Sequence, residues 1–481
     1  MADQTLKEKT AKGLFWGGLN NGVQQLLNLL FGIFLARLLS PDDYGMVAML
    51  SIFSLIAASL QESGFTAALA NKKEVNHEDY NAVFWFNIGL SALLYLLLFF
   101  AAPLIAAFYR TPELIPLARY TFLGFFMTSF GIAHNAYLFR NLMVKQKAIS
   151  QMVALTASGC VGVTLAYMGF AYWGIATQSL VYIGVLTLCY WYFSPWRPTL
   201  TWNFSPIHGM FGFSVKLLIT NIFTHINNNF LNLVLGRYYS EAEVGYYSQA
   251  TKWNNMGQFA ITSMINGVAQ PVLAEVANEQ ERQQHIFRRM LRFSAFVSFP
   301  VMLGLGLIAE ELIVIAITDK WLPSASLMQL LCVWGAFLPV MGLYQQLIIS
   351  KGKSGVFMWN TIALGVMSLI SVWFSNSYGI RTMLIVYVLI NIGWLFVWHF
   401  WVWREIRLKL WHALLDILSY GLIAAIVMIA THYVMLHVSD IYLRFVGKIV
   451  MAAALYLLIM WLSGSVTFKE ALLFLKKMKR K

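Results

Sequence analysis

Three helical stripes of amides and hydroxyls hold most of the side chains in this sequence that could make specific polar contacts inside apolar segments. In the first such segment Asn21, Gln24, Gln25 and Asn28 follow the spacing i, i+3, i+4, i+7 and share one helix face. In the seventh, Asn221, Thr224, His225, Asn228 and Asn232 form a second stripe. In the eighth, Thr251, Asn255, Gln258, Thr262 and Asn266 fall within about 80° on a helical wheel. Such faces are costly against lipid, so they must meet protein or water. Hydrogen bonding between neighbouring helices is the plain explanation of any one stripe. Three together favour a hydrated central cavity.

The charges near these stripes are mostly positive. Lys252 lies about two turns into the eighth helix, beside its stripe, with no acid within a helical turn. An unpaired cation there suits an anionic group. Arg37, Arg237 and Arg119 stand at the outer ends of the first, seventh and fourth helices. Arg37 and Arg237 each precede an acidic turn (Asp42 and Asp43; Glu241 and Glu243), which each is expected to pin. Lys216 sits off the seventh-helix stripe near the inner end, as a snorkelling lysine does. Glu62 and Asp416 are the acids within spans that could take up a proton or a sodium ion, and His225 could titrate or sit hydrogen-bonded in the core.

Enzyme signatures fail. Gly304 and Gly306 lie in a helix without a dinucleotide fingerprint, and Gly352-Lys353-Ser354 lacks the earlier glycine of a P-loop. The longest polar connection, Ala274 to Leu291, is too short for a catalytic domain. Cys160, Cys189 and Cys332 show no paired spacing and read as small buried hydrophobes, without disulfide or metal. No catalytic residue, cofactor or metal is expected.

The elements that carry these residues follow from composition. Of 481 residues 59% are apolar and 11% charged, with a mean hydropathy of +0.65, which describes an all-α polytopic membrane protein and excludes a soluble enzyme. Apolar runs broken by polar turns predict fourteen helices, starting near Gly13, Gly45, Asn81, Leu117, Ser150, Trp173, Gly209, Gly245, Phe293, Leu327, Gly355, Thr382, Leu415 and Phe445. The segment Glu310 to Trp321 is too short to span and reads as interfacial. The N-terminus lacks the features of a cleaved signal and is expected to stay as the first helix. The net charge of +13 sits in short loops, as anionic headgroups and the positive-inside rule demand, so nucleic acid is not expected as a partner. With the N-terminus inside, 24 of the 34 Lys and Arg fall on the inner side and 8 on the outer. That bias predicts an even number of spans with both ends cytoplasmic. The basic tail from Phe468 to Lys481 should lie on the inner surface.

An internal repeat organises the helices. LARLLSPDDYG from Leu35 to Gly45 aligns without gaps, at an offset of 200 residues, with LGRYYSEAEVG from Leu235 to Gly245. Leu35/Leu235, Arg37/Arg237, Ser40/Ser240 and Gly45/Gly245 are identical, as are Asn21/Asn221 and Asn28/Asn228. Six helices separate the copies, so both have the same orientation and the halves should be related by an axis along the membrane normal. The expected organisation is an N-lobe of six helices over 1–195, a cytoplasmic loop over 196–208, and a C-lobe of six helices over 209–403. The last two helices and a basic tail fill 404–481.

The lysine-bearing start, the glycine- and asparagine-bearing first helix, ARLLSPDDYG, the Ser63-Gly64-Phe65 turn and the GRYYSEAEVGYYSQA stretch from Gly236 resemble the polysaccharide-transporter branch of the MOP flippases, over nearly the whole chain and most of all its WzxC-like members. The resemblance implies a flippase in the bacterial inner membrane that moves undecaprenyl-pyrophosphate-linked oligosaccharides outward by alternating access, for lipopolysaccharide or other surface polysaccharide. It also implies two six-helix lobes around a cationic cavity. Its partners would be the lipid-linked oligosaccharide, membrane lipids, a proton or sodium ion and other glycan-assembly proteins. The chemistry agrees: amides and hydroxyls suit sugar hydroxyls, and Lys or Arg suits pyrophosphate. A MATE-like drug or cation exporter is one alternative, although it wants a buried acid that the first helix lacks. A membrane-integral glycan polymerase or acyltransferase is the other, and it wants a large outer loop or a buried His/acid pair.

Overall fold

The computed structural model describes residues 6–62, 69, 72 and 74–478. Within these, side chains are described except at 6–15, 61–62, 208–221, 223, 224, 228, 260, 264, 266, 268 and 474–478. Every regular element among the described residues is helical. The helices are α1 (Leu6–Leu38), α2 (Pro41–Glu62), α3 (His77–Tyr109), α4 (Leu114–Arg140), α5 (Val144–Tyr167), α6 (Tyr172–Phe193), α7 (Ser205–Tyr238) and α8 (Glu241–Glu275). There follow α9 (Gln280–Leu307), α10 (Ala309–Ile317), α11 (Leu322–Ser350), α12 (Ser354–Ser375), α13 (Ile380–Ile406), α14 (Leu410–Met435), α15 (Ile441–Leu462) and α16 (Val466–Met478).

Each start expected from the sequence falls in its own helix among α1–α9 and α11–α15. The short segment read as interfacial is the nine-residue α10 and a 3-10 turn, Asp319–Trp321. Ten helices among the described residues are long and apolar enough to cross a membrane. The four expected spans beyond those are α1, α4, α7 and α8, of 33, 27, 34 and 35 residues. At ~1.5 Å per residue each outreaches a hydrocarbon core of ~30 Å. Three of them carry the polar stripes.

Helix starts are set by side chains that satisfy first-turn amides. Ser40 and Asp43 cap α2 reciprocally: the Asp43 carboxylate accepts from the Ser40 N–H at 2.9 Å, and the Asp43 N–H donates to Ser40 Oγ at 3.2 Å. Ser240 and Glu243 repeat the box at α8, at 3.3 Å in both directions. Asp43 and Glu243 thus serve the backbone. Arg237, expected to pin Glu241 and Glu243, instead donates to the Phe108 carbonyl at the end of α3.

The chain forms two compact units, residues 1–245 and 246–481. In the first, α5 packs on α6 and α1, α4 on α3 and α6, and α2 on α7. The aromatic segment after α6 is strapped to α3. Asn81 donates to the Thr201 carbonyl at 2.8 Å and accepts from the Thr199 N–H at 2.9 Å. Trp85 donates to the Thr199 carbonyl at 2.7 Å and stacks on Trp202 with ring centres 4.8 Å apart. Cys160, read as buried, is exposed on α5, and Cys332 is buried.

In the second unit α9 is central, packed by α11 and α14, with α13 on α11 and α15 on α14. Two ion clusters tie the last helices to α10 and α9. Glu311 of α10, 1% exposed, is held by Lys448 and Arg444 of α15, each at 2.7 Å. Asp416 of α14 accepts from Arg288 Nε at 2.6 Å and Nη2 at 3.1 Å, and from Arg292 at 3.4 Å. Both Asp416 oxygens accept from guanidinium donors of α9, and these bonds give Asp416 a helix-joining role between α14 and that helix. Asp416→Asn keeps the shape but leaves two guanidinium groups uncompensated, and it should cost about 1–3 kcal/mol. A melting curve in detergent is expected to drop by a few degrees; an unchanged curve would remove this role. The terminal α16 is fastened by Thr467 to Tyr420 at 2.8 Å and by Glu470 to Arg289 at 3.0 Å.

Candidate functional site

The stripe on α1 divides in two. Gln24 donates to Asn20 at 3.0 Å and to Gln151 of α5 at 2.9 Å, and Asn20 donates to the same Gln151 oxygen at 2.8 Å. This is an interhelical clamp, the plain reading of a polar stripe. Asn21 and Asn28 are exposed and Gln25 is half-buried. Opposite them on the same helix, Leu19, Leu26 and Leu30 are also exposed. A helix with one apolar and one amide face open cannot have lipid on both, so the amide face meets water or a polar partner. On α7, His225 is half-buried, and its carbonyl accepts from Asn229 at 3.1 Å. The side chains of Asn221, Asn228 and Glu62 lie outside the described residues, as do those of Lys216, Thr224 and Asn266 and the turn Ser63-Gly64-Phe65.

The two copies of the repeat turn pack against each other within the first unit. Gly45 lies on the backbone of Glu241, and Gly245 on that of Pro41. In both places an added Cβ would overlap the carbonyl group, closer than real Cβ atoms approach. Gly45 and Gly245 are equivalent in the repeat, and so are Pro41 and Glu241, so the contact is reciprocal. Around it, Thr111 donates to Glu241 at 3.0 Å and Tyr109 to the Met49 carbonyl at 2.9 Å.

The expected outer arginines have identifiable partners. Pro103 within α3 has no N–H to offer the carbonyl four residues back, that of Phe99. Arg119 Nε supplies the missing donor at 3.3 Å, with its guanidinium 4.2 Å from the Phe99 ring centre. Arg237 does the same for the end of α3, donating to the Phe108 carbonyl and lying 5.3 Å from that ring. Arg37 is exposed in the last turn of α1.

In the second unit the open face of α8 consists of Asn255, Phe259, Ser263, Gly267 and Gln270, all exposed, and Lys252 continues it one turn toward the helix start. The stripe read from the sequence is therefore rotated. Asn255 is on the open face and bonded by Gln258 at 2.8 Å, whereas the hydroxyls of Thr251 and Thr262 are buried. Lys252 is half-buried and enters no ion pair or hydrogen bond among the described residues. Its neighbour Asn254 is buried against Gly335 of α11, where a Cβ would come within 2.6 Å of Oδ1, and this close approach fixes the rotation of α8.

Two features escaped the sequence reading. Gln151 and Asn20 carry the clamp on Gln24, and only the pairing of α1 with α5 reveals it. The Glu311–Lys448–Arg444 cluster had a signal, since Arg444 and Lys448 are four residues apart and share a helix face.

Comparisons with known proteins agree with this architecture. The lipopolysaccharide biosynthesis protein WzxC of Escherichia coli (strain K12) is 24% identical over 356 residues, covering 73% of this chain and 71% of that protein. Among solved structures, the lipid II flippase MurJ in an inward closed conformation matches with a TM-score of 0.77 at 14% identity, over 95% of this chain and all of that one. An inward-facing multidrug resistance MATE transporter of the MOP superfamily matches with 0.66 at 18% identity, over 80% and 94%. At such identities the structural matches establish the fold. The model of a family described as polysaccharide biosynthesis protein matches residues 34–326, well over half of the chain, and to that family this multi-pass membrane protein belongs.

Proposed function

We propose that this protein is a flippase that carries an undecaprenyl-pyrophosphate-linked oligosaccharide from the inner to the outer leaflet of the bacterial inner membrane, for lipopolysaccharide or related surface glycan. It is a transporter and not an enzyme. The observation that carries the mechanism is Lys252, half-buried on the open face of α8 and without a partner among the described residues. A cation there can hold a pyrophosphate, and Asn255 and Gln258 beside it on α8 offer donors and acceptors to sugar hydroxyls; within the first unit, Asn21, Gln25 and Asn28 give α1 an amide face of the same chemistry. Cells lacking the protein are expected to accumulate the lipid-linked oligosaccharide on the cytoplasmic side and to lose surface glycan. Normal glycan with heightened sensitivity to cationic drugs would favour the exporter reading instead.

The proposal includes fourteen spans with both termini cytoplasmic, and two six-helix lobes, 1–195 and 209–403, related by an axis along the membrane normal. The charge bias and the matched caps at Ser40 and Ser240 support it. Cysteines placed at Lys72, Lys351 and Lys481 should react with a membrane-impermeant reagent only after the cells are opened. Labelling of any one in intact cells would break this topology.

A further inference from the structure

We infer that the first unit carries a separate site for the phosphate headgroup of an anionic phospholipid, on the side of α3, α4 and α6. A cavity of about 480 Å³ is lined there by Tyr95, Pro116, Arg119, Tyr120 and Trp173, together with Ile115 and Leu123. Arg119 is fixed in place by its Nε bond to the Phe99 carbonyl and by the Phe99 ring beneath it. Its terminal guanidinium nitrogens have no partner among the described residues and no acid lines the cavity. The Tyr95 hydroxyl and the Trp173 indole N–H are likewise without a partner there, while Tyr120 is held by Thr177 at 3.1 Å and edges onto Trp173 at 5.4 Å.

A preorganised guanidinium, a tyrosine hydroxyl and an indole N–H give donors without acceptors of comparable strength, which fits a phosphodiester. The surroundings decide for a lipid over a soluble anion. Further inward on the same faces of α4 and α6 lies a second, apolar cavity of about 380 Å³, lined by Met127, Phe130, Leu188 and Trp191 with Gly184 and Thr187, in which an acyl chain can lie. Tyrosine and tryptophan near helix ends mark the headgroup depth of a bilayer. Arg119 stands in the second turn of α4 and Trp173 in the first turn of α6. In the proposed topology these ends face outward, so the site takes a lipid of the outer leaflet.

Native mass spectrometry of the full chain, released from detergent holding equal phosphatidylglycerol and phosphatidylethanolamine, tests the site. The wild type is expected to retain phosphatidylglycerol about tenfold over phosphatidylethanolamine. Arg119→Gln should abolish that preference and Arg119→Lys keep part of it. Tyr95→Phe and Trp173→Phe leave the Arg119–Phe99 bond untouched, so they should weaken retention severalfold at an unchanged melting temperature. Excess inorganic phosphate should not displace the lipid. Equal retention of the two lipids, a wild-type preference in Arg119→Gln, or displacement by phosphate would each overturn the proposal.

Discussion

Replacing Lys252 by alanine is expected to abolish glycan export while leaving the protein's abundance in the membrane unchanged. Among the described residues the lysine has no acid to neutralise it and no carbonyl to receive its protons. Keeping such a charge half out of water is unfavourable unless a ligand supplies the counter-charge. Removing it costs the fold nothing in lost pairs. Two charge-assisted bonds to a pyrophosphate, each ~1.5–3 kcal/mol, correspond to a hundredfold loss or more when both vanish. Lys252→Arg should restore part of the activity, because the charge stays while the forked guanidinium reaches differently. Surface glycan and membrane protein level are the two readouts. Full export by Lys252→Ala sinks the assignment, and a parallel fall in protein level moves Lys252 into a folding role.

Adding a single methyl group at Gly45 or at Gly245 should cut export about tenfold or more. Each glycine faces a backbone carbonyl of the other turn, so no flexible side chain can give way. Overpacking of this kind costs ~1–3 kcal/mol. A shift of about 1.4 kcal/mol between an arrangement with the turns joined and one with them apart changes its population tenfold. Because the contact is reciprocal, Gly45→Ala and Gly245→Ala should have similar effects, and the double variant should be little worse than either. Export relative to membrane protein level measures all three. Additive losses, or wild-type export by both single variants, would show that the two turns do not act as one joint.

Both experiments address features that the sequence exposed only in part. The 200-residue offset marked Gly45 and Gly245 as equivalent, and Ser40-x-x-Asp43 and Ser240-x-x-Glu243 already had the spacing of a capping box. The acids of those turns read instead as partners for Arg37 and Arg237, because opposite charges close in sequence invite pairing. In the structure the serine amides take Asp43 and Glu243, and Arg237 caps α3. The backbone amides lie within the same turn as the acids, whereas Arg237 reaches a helix more than a hundred residues away in the chain.

Composition and hydropathy by themselves determined that this is a helical membrane protein and placed one expected start within each of fourteen long helices, because a bilayer permits few alternatives to helices. The polar stripes were legible as runs at helical spacing, since a helix repeats every 3.6 residues whatever surrounds it, but not which side of each stripe stays open. Only tertiary structure decided what each polar residue meets. Gln24 is spent on Gln151, Asp416 on two arginines and Arg119 on the carbonyl that Pro103 leaves without a donor. Lys252 enters no ion pair or hydrogen bond among the described residues. Helical periodicity specifies the direction in which a side chain leaves its own axis, but its partner comes from another helix, and the rotation of that helix is set by packing, as Gly335 sets α8 through Asn254.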